Sequence, residues 1–200
     1  TYKGDVNFFG KPHGRGVVMY ENGDKFSGEF RDGYREGYGT LRTKSNGIRF
    51  LSGVYTGDKL DGKGKVEYEN GDTLFCFFNE GALHGLGKLF DKDNRLKQMC
   101  WYSNGIPIGL VWQFWIGGGC LVGEADLTGN LIGEEIAFLY PDYRTALVGT
   151  FVKDRMVMAQ TCFVHLVSKR NELCHVKFTK PRGPTFAFDP STRQLICSEP

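Results

Sequence analysis

The chain contains no long hydrophobic run, no secretory leader pattern and no excess of charge of either sign. Its most apolar stretch, Ile106 to Ile116 (IPIGLVWQFWI), falls far short of the ~20 apolar residues a membrane-spanning helix needs. Lys and Arg number 25 against 23 Asp and Glu, a net charge of +2. With no cluster of four or more basic residues, nothing marks a nucleic acid or an anionic membrane as a partner. Proline is scarce, at 7 of 200. The six cysteines (76, 100, 120, 162, 174 and 197) form no Cys-x-x-Cys pair, so free thiols are expected rather than a disulfide framework. There is no Gly-x-Ser-x-Gly and no credible carboxylate pair, since the neighbours Glu134 and Glu135 would face apart on a strand. No stretch has convincing amphipathic helical periodicity.

What the chain has is glycine, 28 of 200, about twice average usage, and it recurs in register. Anchors stand at Gly4, Gly28, Gly53, Cys76, Cys100, Gly123 and Gly149, at steps of 24, 25, 23, 24, 23 and 26 residues. The position two before each anchor is Tyr2, Phe26, Leu51, Leu74, Gln98, Leu121 and Leu147. Two after it come Phe30, Tyr55, Phe78, Tyr102 and Phe151. A Gly-x-Gly pair follows at Gly14/Gly16, Gly37/Gly39, Gly62/Gly64 and Gly85/Gly87, decaying to Gly109/Val111. A period of this length is the signature of a stacked repeat.

Each unit reads as a β-hairpin. Lys25 to Phe30 alternates, with Phe26, Gly28 and Phe30 on one face. Arg31-Asp32-Gly33 signals a turn, and Tyr38 to Thr43 a second strand. Asn22-Gly23, Asn46-Gly47, Asn70-Gly71 and Asn104-Gly105 predict tight turns with both residues at positive φ. Glycines at fixed offsets within strands predict sharp bends or aromatic rings lying on bare backbone. One hairpin cannot bury its face alone, but stacked hairpins can. The expected fold is all-β: an elongated single antiparallel sheet of hairpin repeats over 1–159, closed by a C-terminal β cap over 160–200. The cap strands are expected at Thr161–Val167, Leu173–Thr179 and Thr185–Phe188, where they would cover the open sheet edge.

Two surfaces are candidates for binding a partner. Phe30, Tyr55, Phe78 and Tyr102 share one face of successive hairpins. They form either a seam filled by the chain's own glycines or a groove for an extended peptide or a partner helix. Residues 101–150 carry Glu124, Asp126, Glu134, Glu135 and Asp142 against the single base Arg144, an acidic stretch able to receive a basic tail. Two other motifs weaken on inspection. Gly57 to Gly64 (GDKLDGKG) lacks the Ser or Thr and the helix that a phosphate-binding loop requires. Cys162, His165, Cys174 and His175 alternate on strands so that each face receives two ligands, where a closed zinc site needs four.

The pattern resembles the MORN (membrane occupation and recognition nexus) repeat, most fully at FSGEFRDGYREGYG (26–39) and LSGVYTGDKLDGKG (51–64). A narrower resemblance lies in GEEIAFLYPDYRTALVG, Gly133 to Gly149, and in FAFDPSTRQLICS, Phe186 to Ser198. These are similar to the last repeats and the linker of the SET-domain protein lysine methyltransferases that carry MORN repeats at their N-terminus. That resemblance implies a non-catalytic region supporting a SET domain missing after residue 200, with a protein partner or protein substrate such as a histone tail. It also implies a location in the nucleus, the cytoplasm or both; a soluble, intracellular chain is the expectation from the lack of a leader pattern or spanning run. The family's Asn-His-Ser motif has no counterpart, as no Asn-His pair occurs. No catalytic residue, no metal and no cofactor is therefore assigned to this chain; S-adenosylmethionine belongs to the missing domain. A stand-alone scaffold that docks a partner protein is the other reading.

Overall fold

A computed structural model describes the backbone of residues 1–124, 126, 131–142, 144–152, 155–167, 175–179, 185–189 and 194–198, and the side chains of 1–124, 126, 131–133, 136–142, 144–150 and 159–162. The chain is all-β, and every described strand pairing is antiparallel. Among the described residues the one helical element is a 3₁₀ turn, Ser45–Gly47. The chain divides into two compact units, Thr1–Ile106 and Pro107–Pro200.

The first unit is a meander of nine strands: β1 (Tyr2–Val6), β2 (Pro12–Met19), β3 (Lys25–Arg31), β4 (Tyr34–Arg42), β5 (Ile48–Thr56), β6 (Lys59–Tyr68), β7 (Thr73–Asn79), β8 (Ala82–Phe90) and β9 (Leu96–Ser103). Each pairs with the next. The register sets the recurring glycines opposite one another across the strands: Gly4↔Gly16, Gly16↔Gly28, Gly28↔Gly39, Gly39↔Gly53, Gly53↔Gly64, then Gly64↔Cys76 and Gly87↔Cys100. In β7, Leu74, Cys76 and Phe78 are buried while Phe75 and Phe77 point to the open face.

The two glycines of each Gly-x-Gly pair do different work. The first takes positive φ (Gly14 78°, Gly37 80°, Gly62 92°, Gly85 71°). Register shifts lie beside it in all four hairpins, at Gly4/Val6, Gly28/Phe30, Gly53/Tyr55 and Phe75/Phe77, a bulge that bends the strand and sharpens its twist. The second glycine is extended and carries a ring. A Cβ on Gly16 would meet Tyr2 at 2.4 Å, on Gly39 Phe26 at 2.2 Å, on Gly64 Phe78 at 2.9 Å and on Gly87 Tyr102 at 2.6 Å. Rings on bare backbone, one of the two roles expected of these glycines, thus belong to the second, and bends to the first.

The turns differ from expectation in one respect. Asn46-Gly47 and Asn104-Gly105 do place both residues at positive φ, but at Asn22-Gly23 and Asn70-Gly71 only the glycine does so. There the Asn side chain accepts a hydrogen bond from the main chain two residues on, at Asp24 (3.0 Å) and Asp72 (2.9 Å), an Asx turn that holds the asparagine out of the left-handed region. Tight turns with both residues at positive φ also form at Asp32-Gly33, Gly57-Asp58 and Glu80-Gly81. The strand expected at Tyr38 therefore starts earlier, at Tyr34.

The second unit contains β10 (Ile106–Phe114), β11 (Cys120–Glu124), β12 (Gly133–Leu139), β13 (Thr145–Val152), β14 (Arg155–Val167), β15 (His175–Thr179), β16 (Thr185–Asp189) and β17 (Gln194–Ser198). Strands β10 to β14 form a meander of their own, each pairing with the next. The long β14 then pairs with both β15 (Phe163↔Thr179) and β16 (Met158↔Ala187), and β16 with β17. Strands β14, β15 and β16 overlap the three strands expected over 161–188, β17 follows them, and residues 159 and 160 both lie in β14. Val111, Cys120, Ile136, Ala137, Leu139, Ala146 and Cys162 are fully buried in this unit.

Candidate functional site

The aromatic positions come together in the first unit, but as its core. Phe30, Tyr55 and Phe78 are buried, and Tyr102 is half-buried. They interlock with rings from neighbouring hairpins: Tyr2–Phe30 at 5.3 Å, Phe26–Phe30 at 5.4 Å and Phe26–Tyr55 at 4.9 Å, all edge to face. Fully burying a ring of this size is worth about 1.5–3 kcal/mol, so these residues hold the repeats together. Of the two arrangements open from the sequence, the self-filled seam is the one formed. Phe151 lies in β13, and its side chain is outside the described residues.

Arg35, which periodicity did not single out, enters this seam. Its guanidinium lies 5.3 Å from the Phe26 ring centre and 5.1 Å from that of Tyr55. Its Nε donates to Asp58 Oδ1 at 3.2 Å and its Nη2 to the Asp58 carbonyl. No repeat position in the sequence marks it; the register of β3 with β4 sets it opposite Phe30. Burial pushes the Tyr55 hydroxyl up to about 12, against the opposing pull of Arg35. Burial likewise raises Tyr68, Tyr102, Cys76 and Cys100.

Farther along the seam the packing opens. Tyr68, Asn70, Asp72, Leu74, Gly87, Leu89, Gln98, Cys100 and Tyr102 line a hollow of about 280 Å³. Asp72 is buried there, its Oδ2 accepting from Asn70 Nδ2 at 3.0 Å and from Lys97 Nζ at 2.6 Å.

The open face of the same strands carries aromatic groups outside the repeat positions. Tyr38 is 58% exposed, and Phe75 and Phe77 are each 47% exposed. Lys63 Nζ stands 5.9 Å from the Phe77 ring centre, and Lys65 and Lys88 pair across the ladders with Phe75. The alternation of β7 was the signal for Phe75 and Phe77.

Among the described acidic residues, Glu124 and Asp142 lie at opposite ends of the β11–β12 pair. Glu124 is exposed at the end of β11, and its carbonyl accepts from Ile132 N at 3.0 Å. Asp142 lies past the other end of the β11–β12 pair, where Cys120 faces Leu139. At about 3.3 Å per residue, a five-residue strand sets these ends roughly 15 Å apart. Asp142 closes its own turn, accepting from Arg144 N at 2.9 Å and Thr145 N at 3.2 Å, and these bonds hold its carboxyl below the usual range. Asp126 is half-buried and engaged in an interaction. Glu134 lies in β12, and its side chain, like that of Glu135, is outside the described residues.

No group of three or more potential metal ligands occurs among the described residues. Cys162 is buried; Cys174 and the side chains of His165 and His175 lie outside the described residues. Gly57 and Asp58 form a tight turn into β6, with no helix behind them.

Comparison with known proteins matches residues 2–25, 26–48 and 52–73 to the MORN repeat family. Residues 101–175 match the family described as Histone H3 K4-specific methyltransferase SET7 N-terminal. Over 203 aligned residues, 100% of this chain, it is 34% identical to the histone-lysine N-methyltransferase SETD7 of Halocynthia roretzi, of which it covers 52%. A 44-residue stretch, 22% of this chain, is 46% identical to 3% of an inactive protein tyrosine kinase pTKL of Plasmodium berghei. A 33-residue stretch, 16% of this chain, is 54% identical to 2% of human alsin. The chain spans about half the length of the first of these relatives and a small fraction of the other two.

Proposed function

We propose, from a chain that contains MORN repeats and a SET7 N-terminal domain, that it is the non-catalytic region of a SET-type protein lysine methyltransferase. The observation that carries this reading is identity across the entire chain to a histone-lysine N-methyltransferase that it half covers. Its role is to support a catalytic SET domain and to help engage the protein substrate, a histone tail or a similarly basic segment, in the nucleus, the cytoplasm or both. The methyl donor S-adenosylmethionine belongs to that catalytic domain. The family's Asn-His-Ser motif is absent here, so no step of methyl transfer is derived from this chain's residues.

The test is capture of histone-tail peptides by the chain, paired with methylation of the same peptides by a SET catalytic domain with and without it. Salt-sensitive capture and a lower KM in its presence are expected. Unchanged KM together with absent capture would sink the substrate role. A second reading, a scaffold that docks a partner protein, is favoured by the exposed Tyr38, Phe75 and Phe77. It is also favoured by the short matches to otherwise different, much longer proteins.

A further inference from the structure

The register that gathers rings into the seam also gathers charge on the opposite, open face. Across β1 to β6 one open-face row runs Lys3↔Val17, Val17↔Ser27, Ser27↔Thr40, Thr40↔Ser52 and Ser52↔Lys65. Its middle holds only short side chains. On one side of it Met19, Lys25, Arg42 and Phe50 each pair with the next. On the other, Arg15 stands opposite Glu29 and Tyr38 opposite Val54. Side chains on one face of a strand repeat about every 7 Å, so the flanking rows stand roughly 13 Å apart over a low floor. Over β1 to β4 this leaves a trench of about 710 Å³, lined among others by Lys3, Arg15, Ser27, Tyr38 and Thr40.

Four exposed bases belong to this trench. Lys3 and Arg15 line it, and Lys25 and Arg42 stand two residues beyond Ser27 and Thr40 on their strands. They are scattered in the sequence; only the register collects them. Among the described residues none of the four enters an ion pair. Lys25 and Arg42 face each other directly across β3 and β4, and like charges so placed destabilise a sheet. The carboxylates of β1 to β5 are engaged elsewhere. Asp5 accepts from Arg15 N at 3.2 Å, Glu29 lies over the bare backbone of Gly37, and Glu36 faces Arg31 at 3.9 Å. The Lys25–Arg42 pair is left without a counter-charge from the chain.

We infer that this trench receives an acidic segment of a partner protein, with one carboxylate seated between Lys25 and Arg42. Complementary charge supplies the recognition: the incoming carboxylate removes the repulsion between the two bases and forms charge-assisted bonds to both. The apolar groups beside the bases decide for a polypeptide over a phosphate chain. Met19, Tyr38 and Val54 are exposed along the flanking rows, and Leu or Phe side chains set among the acids of a peptide cover them. Glu29 stands in the wall, where it opposes a continuous run of phosphates but admits a neutral residue of a peptide. The basic tail of the substrate role proposed above would be repelled here. The partner is therefore a different protein, and the inference does not rest on that role.

The experiment is a fluorescence-anisotropy titration of the chain against a short labelled peptide rich in Glu and Asp with Leu and Phe among them. The same peptide with Gln and Asn for its acids, and again with Lys for them, serves as control. Saturable binding that weakens as salt rises is expected for the acidic peptide alone. Lys25→Gln/Arg42→Gln is expected to weaken it about tenfold, the range of a lost charge-assisted pair. Because that variant also removes a like-charge pair, its Tm should not fall, which separates lost binding from lost folding. Ser27→Trp raises the exposed floor and is expected to abolish binding. Absent binding, an equal response to the neutral or basic peptide, or binding that survives both variants would each overturn the assignment. Tighter binding to phosphatidylserine vesicles or to single-stranded DNA than to the acidic peptide would overturn the choice of a protein partner.

Discussion

The ring of Phe26 occupies the space where a side chain on Gly39 would begin: a Cβ there would lie 2.2 Å from Phe26 Cζ and 2.6 Å from its Cε2. Gly39 is extended and needs no special φ, so space alone excludes a larger residue. Gly39→Ala is expected to cost about 2–3 kcal/mol through overpacking. Gly81 is the contrast: its φ is 90°, and a Cβ added there would meet no atom within 4 Å. Gly81→Ala costs only the left-handed strain, about 1–2 kcal/mol. Urea unfolding of both variants checks the order, and equal losses would contradict the ring-on-glycine account.

Arg35 is expected to stabilise the seam as well as the Asp58 turn. Arg35→Met keeps most of the stem and loses the cation between two rings, at about 1 kcal/mol. Arg35→Ala also removes the packed stem and should lose about 2 kcal/mol. A double-mutant cycle with Tyr55→Leu isolates the ring contact; a coupling of zero would show that the side chain serves Asp58 alone.

Alkaline pH is expected to loosen the first unit. In the unfolded chain Tyr55 ionises near its ordinary value of about 10, whereas in the fold burial raises it to about 12. Its folded pKa is raised, so its contribution is complete below pH ~10 and declines as the pH climbs toward ~12. Unfolding free energy measured across this window should fall, and the fall should shrink in Tyr55→Phe.

At the acid end the sign reverses. Hydrogen bonds from Arg144 N and Thr145 N hold the Asp142 carboxyl low. Its contribution is present above the unfolded value of about 3.9 and is lost as the pH drops through the lower folded one. Asp142→Asn should flatten the acid limb of the stability curve. An unchanged limb would assign acid sensitivity to other carboxylates.

The open face separates the two functional readings. Phe75 and Phe77 are exposed, so Phe75→Ser/Phe77→Ser should leave stability within about 0.5 kcal/mol per site. A scaffold that docks its partner through this face would lose that partner in pull-down. A region acting only through its catalytic domain would keep tail capture and KM unchanged.

The repeat, its hairpin alternation and the all-β class were legible in the chain alone, because they follow from local rules: a side chain changes face at every residue, and glycine alone tolerates certain backbone angles. The double role of Gly37 and Gly39 was half legible, as bends and as bare backbone beneath rings, without the order of the two. The rest depends on the assembled sheet. Whether Phe30 and Tyr55 line a groove or a seam turns on how far each ring reaches onto the neighbouring strand, which cross-strand register sets. Arg35 became part of the core because that register puts it opposite Phe30 and within reach of Tyr55. Glu124 and Asp142 look close along the chain, yet antiparallel pairing of β11 with β12 carries them to opposite ends. The hollow at Asp72 draws its walls from β7, β8, β9 and the turn before β7, and only the folded sheet brings these segments together.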